Sequence, residues 1–275
     1  MEWLHLILNL AALLLWMHWR AGTMPRPKPA NHMLGPAPKL GPVMRHSWVF
    51  LLGLLALLGL RAVFYHQFGP GLNWVPSLEL LNESPHFRSD HFNRALAYSV
   101  LSFGRWMVAL YFCLALLSTL RPKTESDSQW PAFLDAQFGW LGSWPAFTHW
   151  LAALALAGAV QFGEVKWTES LGLVSQPIDL ASHLPVMMAL DLRAAVYLMM
   201  GLLVLYLLNS YIYFGEKTFW QNVDSSGRRL LTPLRPLRLV VGKIDLAPVL
   251  GIGLAYSFNL LLQQEQLMRW ISQPA

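Results

Sequence analysis

Arg228, Arg229, Arg235, Arg238 and Lys243 fall within one short stretch, interleaved with Leu230, Leu231, Leu234, Leu237, Leu239 and Val240. Guanidinium groups at this density bind phosphate, while the leucines between them call for hydrocarbon. Pro233 and Pro236 break the stretch, so it cannot cross a bilayer as a helix. A segment with both demands is expected to lie along a membrane interface as an amphipathic element. Arg235 and Arg238, three apart, share a face if the segment is helical. Anionic lipid headgroups are their expected partners, with docking of another membrane protein subunit as the alternative. Nucleic acid is not expected, because no aromatic reading surface accompanies the charge. Just downstream, Gly242, Asp245 and Pro248 form a helix-entry motif. Asp245 suits a helix N-cap, and Pro248 then falls at the third helical position, where a missing N–H costs nothing. The alternative pairs Asp245 with Arg235 or Arg238 and fixes the loop as a docking surface.

Arg105 is the second candidate, an ionisable group near the middle of an apolar run, in Ser102-Phe-Gly-Arg-Trp106. Such a charge costs several kcal/mol, about 3 on insertion scales, unless it is paired, wetted or snorkelled. The apolar runs offer it no obvious carboxylate at matching depth. Backbone carbonyls, an outer-loop acid, a neighbouring subunit or lipid, and an ion path are its possible partners. Arg61, near the end of its own run, is expected to snorkel. No catalytic set stands out: Gly-x-Ser-x-Gly, His-Glu-x-x-His and a phosphate loop are all missing, and Cys113 is the single cysteine. Without Cys-x-x-Cys-His there is no covalent c-type haem. His5 and His18 are about 20 Å apart along a helix, too far to share one iron. Neither a cofactor nor a metal is expected.

These groups need elements to hold them, and composition says which. The chain has 275 residues, of which 55% are hydrophobic and 13% charged. Soluble domains carry about 25% charged residues, so a membrane protein is indicated. Its 13 tryptophans and 8 tyrosines suit two membrane-water boundaries. Six apolar stretches, 3–19, 47–65, 95–120, 147–163, 193–214 and 246–264, approach the length of about 17–25 residues that spans hydrocarbon. The fold class is therefore all-α, a polytopic transmembrane helical bundle of about six spans in three helical hairpins, with the interfacial segment before the last span. The first stretch lacks a basic start and a small-residue cleavage site, and reads as a retained span.

Connections one, three and five hold 13 of the 20 lysines and arginines, including Arg20, Arg26, Lys28, Arg121 and the 228–243 group. The other side holds five: Arg88, Arg94, Lys166, Arg193 and Arg269. This bias places the basic loops in the cytoplasm and both termini outside. The proline-rich residues 21–46 form an extended basic strap. The outer loops 66–94 and 164–192 are expected to be short, partly ordered lids. Three units follow: 1–94 with the strap, a middle hairpin 95–192, and a C-terminal hairpin 193–275. Asn9, Asn209 and Asn259 are placed to hydrogen-bond between helices, and the alanines of 152–159 suit close helix packing.

Thr232, Pro233, Arg235, Pro236 and Arg238, followed by Gly242, Ile244, Asp245 and Pro248, resemble the cytoplasmic loop and second-helix entry of the YggT family, called YlmG in plastids. Leu116 to Pro122 looks like that family's first-helix ending, so that 95–192 would be a degenerate repeat. The resemblance implies an integral protein of the bacterial inner membrane, or less readily of a plastid membrane. It implies a non-catalytic scaffold, assembly factor or accessory subunit, linked to osmotic tolerance, division-related organisation or cytochrome maturation. One alternative is a small transporter or channel for ions or osmolytes. Another is a bystander subunit of a photosynthetic or respiratory complex.

Overall fold

A computed structural model describes residues 2–23, 47–80, 84–121, 129–175, 177–212, 218–237, 240–241 and 244–263. Leucine-rich runs can satisfy their backbone groups in lipid only by closing i to i+4 hydrogen bonds, and here they do so as helices. The long helices are α1 (Glu2–Thr23), α2 (Ser47–Phe68), α3 (Phe92–Thr119), α5 (Ala146–Ser170) and α6 (Leu180–Tyr211). All five are long and apolar enough to cross a membrane. Short helices α4 (Gln129–Phe138) and α7 (Thr218–Leu230) occupy the connections after α3 and α6. A 3-10 turn (Thr232–Leu237) and a two-residue antiparallel ribbon, β1 (Val240–Val241) with β2 (Ile244–Asp245), lead into α8 (Ala247–Leu261).

The protein is a helical bundle. α1 packs on α2, α3 on α5, and α6 on α8, while α3 also touches α1, α2, α4 and α6. Half of the apolar window of α3 is buried inside the protein, against 17–22% for the other four long helices, so α3 is the axis and the rest present apolar flanks outward. Its partner α5 comes close through small residues: Ala153 and Ala157 are fully buried against Val108, Phe112 and Ala115. The last helix is the exception to the expected six spans. At 15 residues, α8 is about 22 Å long, short of the roughly 30 Å of hydrocarbon.

Several boundaries differ from expectation for identifiable reasons. α5 runs on to Ser170 and α6 starts at Leu180, so Lys166 and Trp167 lie on α5 rather than in a loop of 164–192, and Arg193, expected at the very start of its span, lies well inside α6. Asp179 opens α6, its carboxylate accepting from the N–H groups of Ala181 at 3.1 Å and Ser182 at 3.3 Å. The Ser182 and Ala181 hydrogen bonds hold that carboxyl below its ordinary range. α4 was not anticipated within the third connection. It wedges Gln137 between α1 and α3: the Gln137 carbonyl accepts from Arg20 and from the Tyr111 hydroxyl, while its amide donates to the Met17 carbonyl at 3.3 Å. The described residues 69–80 and 84–91 between α2 and α3 form a lid. It is closed by a Ser77–His86 bridge and anchored by the fully buried Phe87 and by Trp74, whose ring packs at a tilt against Tyr65.

Candidate functional site

Two sets of polar side chains dominate the interior, and both lie between α3 and its neighbours. The first surrounds Arg61, which does not snorkel: its residue is 2% exposed. Its Nε donates to Ser99 Oγ at 2.9 Å, Nη1 to Asn9 Oδ1 at 2.7 Å, and Nη2 to Ser102 Oγ at 2.6 Å and to the Ser99 carbonyl. The guanidinium also lies 5.8 Å from the centre of the Tyr65 ring. The apolar stem cannot reach an interface because the α1–α2–α3 junction encloses it. Three helices thereby share one cation through neutral oxygens. His5 continues the set, hydrogen-bonded to Tyr65 at 2.9 Å and to the Asn9 amide at 3.0 Å. Since His5 meets α2 and α3 side chains and His149 stacks on Phe138 at 4.0 Å, both histidines are packing groups here.

The second set surrounds Arg105, and here the sequence reading missed the partner. Arg105 Nε donates to Glu164 Oε2 at 3.0 Å and Nη2 to Oε1 at 2.5 Å, a two-point ion pair. Nη2 also donates to the Glu79 carbonyl at 2.6 Å, so the lid folds down to the ion pair. Glu164 was assigned to a loop because it and Lys166 end the apolar run. In the antiparallel α3–α5 hairpin, the continued helix brings Glu164 level with Arg105. An intramembrane arginine is itself the signal to search the neighbouring span for an acid. One turn from Glu164, Gln161 Nε2 donates to Asp191 Oδ2 of α6 at 3.0 Å. His183, also on α6, is fully buried. Arg193 faces the other way, donating to Asn259 of α8 at 3.1 Å and to Tyr197 at 2.8 Å. Of the three asparagines expected to link helices, Asn9 and Asn259 do so. The Asn209 carbonyl oxygen is buried without a partner among the described residues.

At the opposite end of the bundle, α7 carries Arg228 and Arg229 in its last turn. Arg228 pairs with Asp224 at 2.9 Å and remains largely exposed. Arg229 donates to the Arg121 carbonyl at the end of α3, and Arg121 in turn makes a two-point pair with Asp135 of α4. Gly227 lets α7 approach α6 closely, since a Cβ there would collide with the Tyr206 ring. Beside this basic end, Leu117, Leu198, Leu202, Phe219 and Val223 line an apolar cleft of about 470 Å³ between α3, α6 and α7. The leucines after α7 do not all face hydrocarbon: Leu231 is 4% exposed and packs with Leu230 and Leu234 against Leu203 and Ala247, whereas Leu237 is exposed.

Asp245 accepts from the Ala247 N–H at 2.9 Å, a bond that serves a free donor at the entry of α8. Leu246 occupies the cap position itself, so Pro248 falls at the second helical position instead of the third. The side chain of Arg235 and residues Arg238, Gly242 and Lys243 lie outside the described residues, as does 24–46 of the basic strap. Among the described residues, no group of three or more His, Cys, Asp or Glu side chains could hold a metal ion. No family model, no curated protein and no solved structure matches the chain.

Proposed function

We propose that the chain is a non-catalytic membrane scaffold, whose basic end rests on the cytoplasmic leaflet and holds anionic lipid and neighbouring subunits in place. One observation carries this reading: most of the described arginines fasten one element to another. Arg20 joins α1 to α4, Arg61 joins three helices, and Arg105 joins α3 to α5 and the lid. Arg193 joins α6 to α8, and Arg229 joins α7 to α3. A bundle cross-tied this way is rigid, which suits holding more than transforming. At its basic end, exposed Arg228 beside an apolar cleft offers a phosphate site next to an acyl-chain site. The resemblance of residues 232–248 to the YggT family, and the excess of lysine and arginine on this side, support a bacterial inner membrane with these loops in the cytoplasm.

Native electrophoresis from mild detergent tests the reading. The 31.1 kDa chain should migrate within a larger lipid-containing assembly, and Arg228→Glu with Arg229→Glu should release it. Migration as a bare single chain, indifferent to those substitutions, contradicts the proposal. A transporter is the rival, and the Arg105–Glu164 ion pair within the bundle favours it, because paired intramembrane charges mark ion routes in other proteins. Solute flux in liposomes that disappears in Arg105→Gln would establish the rival.

A further inference from the structure

The junction of α3, α5 and α6 holds one guanidinium and two carboxyl groups. Arg105 is committed to Glu164 through both of its bonds to that carboxylate. That leaves Asp191, whose carboxylate receives, among the described residues, only the neutral Gln161 amide, through Nε2 to Oδ2 at 3.0 Å. The other end of the same amide is the informative atom. Gln161 is fully buried, and its Oε1 has no donor. An unpaired carboxylate and a donorless carbonyl oxygen thus sit on the same two side chains, inside a bundle that crosses a membrane. Each is costly there by itself.

The other groups around Asp191 do not relieve either. From α3 come Arg105, already committed, and Cys113, whose thiol donates to the Ala194 carbonyl at 3.6 Å. From α5 comes Glu164, of like charge. α8 brings no acid or base of its own beyond the exposed Tyr256, and Arg193 on α6 is turned to Asn259 and Tyr197. α7 carries its charges at the basic end, with Asp224 paired to Arg228. His183, on α6 two turns away, is buried with neither ring nitrogen bonded. The described residues offer no metal-ligand group.

A proton answers both deficits at once. On Asp191 Oδ1 it makes the carboxyl a donor, and the acceptor waiting for a donor is Gln161 Oε1. The two side chains then close a carboxylic acid–amide pair, N–H to C=O in one direction and O–H to C=O in the other. The charge count of the junction becomes zero. We propose that Asp191 is a proton-binding site of the folded protein, held protonated against Gln161 while Arg105 neutralises Glu164.

Infrared spectroscopy of the purified protein in lipid bilayers at neutral pH tests this, because a protonated carboxyl has a carbonyl stretch separate from that of a carboxylate. The wild type should show that band at an intensity of one carboxyl per chain. Asp191→Asn, which keeps an amide opposite Gln161 and so keeps the fold, should lose it completely. Glu164→Gln should lose it as well, because Asp191 then becomes the counter-charge of Arg105 and ionises. A wild type without the band, a band that survives Asp191→Asn, or a band unchanged in Glu164→Gln would each overturn the proposal.

Discussion

Removing the oxygen that Asn9 offers to Arg61 should cost more than removing both groups together. Arg61 is enclosed, permanently charged, and bonded only to neutral oxygens, of which Asn9 Oδ1 at 2.7 Å is the one supplied by α1. Asn9→Leu keeps the branched shape and leaves Nη1 without an acceptor. A hydrogen bond to a charged group contributes about 1.5–3 kcal/mol, while interhelical bonds inside membranes have averaged about 0.6 with a maximum near 1.7. About 2 kcal/mol, roughly a 30-fold shift in the unfolding equilibrium, follows for this site. Arg61→Met removes the demand itself. The hydroxyls it leaves behind are already satisfied, since Ser99 Oγ donates to the Leu58 carbonyl at 2.9 Å and Ser102 Oγ to the Ser99 carbonyl at 3.2 Å. Replacing a buried charge by an apolar chain of similar volume is often neutral. The double variant should therefore stand within about 1 kcal/mol of Arg61→Met alone, giving a coupling of about 1–2 kcal/mol. Reversible unfolding in mixed micelles, followed by circular dichroism, measures all four corners of the cycle. Strict additivity of the two substitutions would refute the claim that Asn9 acts through Arg61.

Other expectations rest on separate contacts. Gly227→Ala should cost about 1–3 kcal/mol by forcing the Tyr206 ring away and should detach α7, read as faster proteolytic cutting within residues 212–231. Asp179→Ala should speed amide exchange at Ala181 and Ser182 without disturbing the rest of α6. Because hydrogen bonds from Ser182 and Ala181 lower the folded-state pKa of Asp179, its stabilising effect is full above the ordinary carboxylate range. That effect is lost as pH falls through the lowered value, so the protection factors of the same two amides, referenced to the intrinsic exchange rate at each pH, should fall on acidification in the wild type. Arg229→Gln removes the tie to the Arg121 carbonyl and, with Arg228→Gln, should lower the amount of anionic phospholipid co-purifying with the protein, measured by lipid mass spectrometry.

The helical class and the position of five long helices were legible because hydrophobic run length is a one-dimensional property. The polar interior was legible only in part. Asn9 and Asn259 stood out as amides within apolar runs, and both do bridge helices. Glu164, Asp191 and Arg193 were hidden because each one ends or interrupts a hydropathy window, which trims the span just where the helix continues. Arg61 shows the converse error: proximity to a helix end on paper says nothing about whether neighbouring helices close over it. α4 was unreadable as a packing element, since its docking depends on the backbone carbonyl of Gln137, which leaves no trace in residue type. In the 228–248 stretch residue type alone did not show which leucines face inward; Leu230, Leu231 and Leu234 do so because they pack against Leu203 of α6 and Ala247 of α8.

Sidedness is the premise on which the scaffold reading stands, and labelling with a membrane-impermeant maleimide tests it directly. In a Cys113→Ala background, Ser77→Cys reports on the lid and Thr232→Cys on the basic end; both positions are exposed. In intact cells or spheroplasts the account predicts labelling at 77 and none at 232 until the membrane is opened. Labelling at 232 from outside, with 77 protected, would contradict it.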